Sequence, residues 1–280
     1  MTASRFLWRE WGRKQYFLPS EHGSWIWWIG PFAIGLAAGR RFTPDVVLLF
    51  AALLLAFLSR QPATMAIKAL SGRRPRRDLA PSVFWLAVES LPALVALAAL
   101  VAAGYRQLLW LAIPGVLVFA WHLWLVRRRE ERGQRGVELV AAGVLGLAAP
   151  AAYWVASGTE SRTAWILWGL CWLHSAAAII TVFLRLEQRR LQTPPLHPWR
   201  DAMRVLAYHA FNLAIALALA LLGWAPALVP VAFLLMLVDA VEGVAHPPVG
   251  TRPTVIGFRQ LGASLAFLFV MALAYRLSGG

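Results

Sequence analysis

The sequence predicts an all-α integral membrane bundle of about nine transmembrane helices, with its N-terminus in the cytoplasm. Three observations predict it. Apolar runs of helical length follow one another along the whole chain. Only 14% of residues are charged against 60% hydrophobic, with a mean hydropathy of +0.61, whereas a soluble domain carries roughly 25% charged residues. The third is the placement of arginine. Lys14 and Lys68 are the lysines among 27 basic residues. Apart from Arg40, Arg41, Arg106, Arg162 and Arg276, every basic residue falls in the N-terminal segment, in alternate gaps between runs or at the run ends that border those gaps.

A bilayer core about 30 Å thick takes about 20 apolar residues per helix. The runs that qualify are 24–39, 44–60, 81–103, 108–126, 137–157, 164–184, 204–223, 226–241 and 258–277. The first and eighth are short, and Gly223-Trp224-Ala225-Pro226 joins the seventh and eighth as a tight hairpin. The positive-inside rule then orients a single transmembrane domain over 1–280 N-in and C-out in a bacterial inner membrane, with 1–23 as a cytoplasmic segment. Trp25, Trp27, Trp28, Trp110, Trp121, Trp124 and Trp224 lie near span ends, where indole N–H groups reach headgroups. The net charge of +14 is this bias summed over loops and attracts anionic lipid headgroups. No aromatic-basic surface domain accompanies it, so nucleic acid is not expected as a partner. The lone Cys171 excludes a disulfide framework and a Cys metal cluster. The basic N-terminus leads into further spans, not a cleavage site, so no signal peptide is read.

Ionisable side chains inside spans are costly unless they face a cavity or a partner, which makes them site candidates. Glu89 lies about 12 Å into the third span at 1.5 Å per residue; a carboxylate there needs a partner or a proton. His122, His174, His209 and Asn212 lie in the fourth, sixth and seventh spans, and Glu138 opens the fifth. Asp239 and Glu242, three apart, share a helix face if the eighth helix continues through them. Interhelical hydrogen bonding is the plainer reading for His122, His174 and Asn212. Nearly all these groups belong to the cytoplasmic half. Arg60 and Arg185 are the first polar residues after their spans, placed for a guanidinium to clamp a phosphate or carboxylate. His246-Pro247-Pro248 to Arg252-Pro253 suits either a re-entrant segment or a plain connector.

The densest polar motif is Pro19-Ser20-Glu21-His22-Gly23-Ser24-Trp25, directly before the first span. Pro19 stops a preceding helix, Gly23 lets the backbone turn and Ser24 can cap the span. This motif, with Pro31 and Phe32 inside the span, resembles the opening of the YwiC-like bacterial membrane proteins, Ser24 standing where Ala is usual. Ser59, Arg60 and Pro62, and Arg185 and Arg189, look similar as well. The resemblance implies a multi-pass membrane protein and carries no established activity.

In architecture the chain is also similar to UbiA-type intramembrane prenyltransferases, which hold Mg²⁺ and an isoprenyl diphosphate on Asp-rich motifs after the second and sixth helices. Here residues 59–77 contain no acid, and the later loop has only Glu187 and Asp201. A hard cation needs carboxylate oxygens, so no cofactor is expected and Mg²⁺ least of all. The reading favoured is a polar, cytoplasm-facing cavity for an anionic or lipidic, even isoprenoid, ligand. Glu21, His22, Glu89, His209, Asp239 and Glu242 would form its wall, and Arg60 and Arg185 would recognise the anion. A degenerate prenyltransferase or other intramembrane lipid-modifying enzyme is the second reading and a small-solute transporter the third. The sequence leaves oligomeric state and catalytic residues open.

Overall fold

The computed structural model describes residues 11–19, 23–131 and 134–278. Among them every regular element is a helix, as lipid demands of a backbone that must satisfy its own hydrogen bonds. The ten main helices are α1 (Ile26–Gly39), α2 (Pro44–Leu70), α3 (Leu79–Ala102), α4 (Leu108–Arg128), α5 (Arg135–Leu145), α6 (Ala148–Ser157), α7 (Arg162–Gln188), α8 (Met203–Leu221), α9 (Val229–Ala245) and α10 (Pro253–Leu277). Each expected run is helical, and α5 with α6 makes one of them. Seven of the resulting segments are long and apolar enough to cross a membrane; α1 and α9, at 14 and 17 residues, fall short of that length.

Three differences from the expected boundaries have local causes. The run 137–157 breaks at Gly146–Leu147 because Pro150 has no N–H for the Gly146 carbonyl, which takes the Ala149 N–H at 3.0 Å instead. Helix α2 does not end at Arg60. The strong helix formers of 61–70 carry it on to Leu70, a rod of about 40 Å, and Pro62 is tolerated inside it. Helix α7 likewise runs past Arg185 to Gln188.

The chain forms two compact units. The first comprises residues 1–22 and 43–134. Its frame is the α2–α3 hairpin, onto which the segment from Trp11 to Pro19 is pinned. Trp85 Nε1 donates to the Trp11 carbonyl at 2.8 Å, Gln61 Nε2 to that of Gln15 at 2.7 Å, and the Tyr16 hydroxyl to Asp78 Oδ1 at 3.0 Å. Arg74 holds the other Asp78 oxygen at 3.1 Å. Helix α4 is tied in by Arg73, which donates to the Val126 carbonyl at 2.6 Å and to both Glu131 oxygens at 2.7 and 3.2 Å. Lys68 stands 3.9 Å from the same carboxylate.

The hydrogen bonds from Arg73 hold the Glu131 carboxyl below the usual carboxylate range, outweighing the opposite effect of its burial. A carboxylate depressed in the folded state stabilises fully above its ordinary value of 4.5, and loses that contribution as pH falls through the lowered value. Glu131→Gln is therefore expected to cost about 1–2 kcal/mol near pH 7. The Tm gap to the parent should close as pH falls from about 5 toward 3. A gap of constant size across that range would contradict the assignment.

The second unit comprises residues 23–42 and 135–280. Its core gathers Ile34 from α1, Leu167 and Leu170 from α7, Phe233 from α9, and Phe267 and Met271 from α10. Helix α1 lies tightly on α6 because Gly35 and Gly39 present no side chain. A Cβ at Gly35 would land on the Ala149 carbonyl, and one at Gly39 would stand 2.5 Å from the Ala156 methyl. Spaced four apart, they form the small-xxx-small face on which membrane helices approach closely. Arg40 caps α1 in the left-handed region (φ 67°), its N–H donating to Leu36. Its guanidinium donates to the Tyr275 and Arg276 carbonyls at the end of α10.

Candidate functional site

A cluster of charged groups in the second unit lies where α7 and α9 finish and α10 begins. Asp239 is their centre. Its Oδ2 accepts from Arg185 Nη2 at 2.8 Å and its Oδ1 from Arg259 Nε at 2.9 Å. Its backbone carbonyl accepts from Arg185 Nη2 at 2.9 Å and Arg259 Nη2 at 3.1 Å. Arg259 also pairs with Glu242, one turn on from Asp239, and Glu242 faces His246 Nδ1 at 3.5 Å. Four charges thus neutralise one another pairwise on three helices.

Burial is graded through this knot. The Arg185 side chain is 4% exposed, Asp239 22%, Arg259 34%, Glu242 49% and His246 77%. Exposure therefore falls stepwise from His246 to Arg185. Gly243 makes the inner position possible, since a Cβ there would stand 2.7 Å from Arg185 Nη2. Arg185 is not saturated. Its Nη1 is buried with no acceptor among the described residues, and the same holds for Nε2 of Gln188, three residues further along the same helix. Residues three apart share a helix face, so two buried donors stand on one face of α7 without acceptors.

One turn the other way from Arg185, the Thr181 hydroxyl donates to the Ala177 carbonyl at 2.8 Å and lies 3.0 Å from His209 Nε2. With the hydroxyl hydrogen spent on Ala177, Nε2 of His209 carries the ring proton toward Thr181. Asn212 donates to the Leu173 carbonyl at 2.9 Å. His209 and Asn212 thus tie α8 to α7. Deeper in the unit, His174 stacks on Phe267 at 3.8 Å. It borders a cavity of about 20 Å³ with Ser175 and Ser264, room for a single water.

Of the candidates read from the sequence, Arg185 and Asp239 meet directly, Glu242 joins them through Arg259, and His209 bonds to Thr181 one turn from Arg185. Arg60 and Glu89 belong to the first unit. Arg60 lies over the Phe57 ring at 5.3 Å, and Glu89 is 3% exposed, its Oε2 without a partner among the described residues. His122 lies 3.5 Å from Thr64, the interhelical tie expected of it. Glu21 and His22 lie outside the described residues. The stretch 246–252 is a connector docked on the end of α7: Gly250 N–H donates to the Arg189 carbonyl and Arg189 Nε to that of Thr251, both at 3.1 Å. No group of three His, Cys, Asp or Glu side chains suited to a metal ion occurs among the described residues.

Arg259, Gly243, Thr181 and Gln188 are the participants that sequence reading passed over. Arg259 sits where a basic residue is ordinarily an orientation signal. The available clue was Gly243 inside a helix directly after an acid pair spaced to share a face, since an interior glycine signals a close approach.

A bundle of apolar helices carrying one compact knot of charge in its second unit defines a multi-pass membrane protein. Residues 18–153, just under half of the chain, match the model of a family described as "YwiC-like protein". It is similar to the "Uncharacterized protein YwiC" of Bacillus subtilis (strain 168), 25% identical over 153 residues, which is 54% of this chain and 59% of that protein. The match thus spans less than two thirds of the relative's length. No solved structure matches. The knot around Asp239 lies beyond the residues matched by the family model.

Proposed function

We propose that the protein binds an anionic, lipidic ligand at the charged knot of its second unit, from the cytoplasmic leaflet of a bacterial inner membrane in which it sits N-in and C-out. The observation that carries this reading is the pair of buried donors, Arg185 Nη1 and Gln188 Nε2, that have no acceptor among the described residues. Leaving buried donors unmade costs more than a hydrogen bond returns. A guest with anionic oxygens satisfies both, and a guanidinium fits phosphate or carboxylate in a bidentate way. The guest is lipidic because the surface beside the knot is apolar and exposed at Val238, Val255 and Phe258. His209 fixes the backbone of α7 beneath Arg185 in this reading and is a positioning residue.

A prenyltransferase reading lacks a supporting feature. Asp78, the acid nearest the end of α2, is already held by Tyr16 and Arg74. Mg²⁺ is therefore not part of the proposal. The test is binding of farnesyl phosphate to the purified protein in detergent micelles. Arg185→Met and Gln188→Leu are expected to weaken binding by about tenfold or more, with the fold intact by thermal unfolding. Unchanged affinity in both variants would overturn the site. Cysteine accessibility in vesicles, at Arg13→Cys and Ser278→Cys, checks the orientation: opposite faces are expected.

A further inference from the structure

The first unit carries an amphiphile-shaped groove that the proposed ligand site does not involve. Helices α3 and α4 touch sparsely and leave an open furrow of about 470 Å³ along their surface. It is lined by Leu94, Leu97, Ala98, Val101 and Leu109, and by Arg106 in the turn joining the two helices. That turn is fixed by the Gly104 backbone at φ 108° and by the Tyr105 N–H donating to Leu100 at 3.0 Å.

The charge of Arg106 is unmatched. Asp45, the acid at this end of the unit, takes the Tyr105 hydroxyl at 3.1 Å. Arg106 itself has no carboxylate within ion-pair distance among the described residues. Around the groove the helices expose Leu91, Val95 and Trp110 at 61%, 69% and 73%, a surface that only hydrocarbon suits. A cation lining an apolar furrow in such a surface matches one occupant: an acyl chain along the furrow and an anionic phosphate on the cation.

We infer that this groove is a binding site for a single anionic phospholipid, its chain between α3 and α4 and its headgroup on Arg106. Arg106 lies at the same end as Asp45, opposite the Arg73 and Arg74 end of the α2–α3 hairpin, so the lipid comes from the leaflet opposite the basic loops. The inference stands on different residues from the proposed ligand site, so either can fail without the other.

The experiment is native mass spectrometry of the full chain released from bilayers of equal phosphatidylglycerol and phosphatidylcholine. The parent protein is expected to retain one phosphatidylglycerol in at least fivefold preference to phosphatidylcholine. Arg106→Ala should abolish the preference, and Ala98→Trp, which fills the furrow while keeping the cation, should abolish retention. Equal retention of the two lipids by the parent, or a preference unaltered in Arg106→Ala, would overturn the inference. If either variant unfolds, Arg106→Gln and Ala98→Phe read the same two contacts with smaller changes.

Discussion

Asp239→Ala is expected to be the most damaging single substitution in the charged knot, costing about 3–5 kcal/mol. The cost comes from what it leaves behind, not from what it removes. Arg185, at 4% side-chain exposure, would keep a charge in the interior with no carboxylate to balance it. The reciprocal change is milder. Arg185→Met leaves Asp239 still held by Arg259 at 2.9 Å and fills the same channel with an apolar chain, so its cost is expected to be about 1 kcal/mol. The double variant should regain much of the loss of Asp239→Ala, because it removes the stranded charge. Thermal unfolding followed with a thiol-reactive dye reads this directly, since the lone Cys171 is buried in the folded unit. A fall of about 10 °C in Tm is expected for Asp239→Ala. Equal and small losses for both single variants would mean that the knot is a surface decoration.

Gly35→Leu is expected to unseat α1 from α6. Any side chain at this position meets the backbone carbonyl of Ala149, and a backbone atom cannot rotate out of the way as a side chain can. Overpacking of this kind costs about 1–3 kcal/mol where neighbours can shift, and this site belongs at or above the top of that range. Gly169→Ala is the control. Nothing stands within 4 Å of a Cβ there, so replacing a helical glycine should leave stability unchanged or raise it by up to about 1 kcal/mol. The comparison is made in one thermal-unfolding series, and similar Tm values for the two variants would refute the close α1–α6 contact.

The helices were legible because lipid leaves a chain little choice: each apolar run had to become a helix, and each did. Their ends were less so. Residues 61–70 are polar enough to look like a loop, yet they are good helix formers, so α2 runs on past Arg60. The break at Gly146 needed Pro150 to be read for its missing N–H. In the site, Asp239 and Glu242 could be found because three-residue spacing puts them on one face. Their partners could not. Arg185 stands 54 residues away in sequence from Asp239 and Arg259 stands 20 away, and no periodicity relates positions on different helices. Arg259 was also hidden by its setting, since a basic residue at a span end has a sufficient explanation in topology. Of the expected wall, Arg60 and Glu89 belong to the first unit and Arg185, His209, Asp239 and Glu242 to the second, a division that depth along a span does not reveal.

The central claim is that the buried face of α7 around Arg185 receives an anionic lipid. Photo-crosslinking with a diazirine-bearing farnesyl phosphate, followed by peptide mapping, tests it most directly. Adducts are expected to concentrate on residues 181–189 of α7 and on 238–259, and to disappear in Arg185→Met while the protein remains folded. Adducts spread evenly over the apolar helices, or an unchanged pattern in that variant, would contradict it.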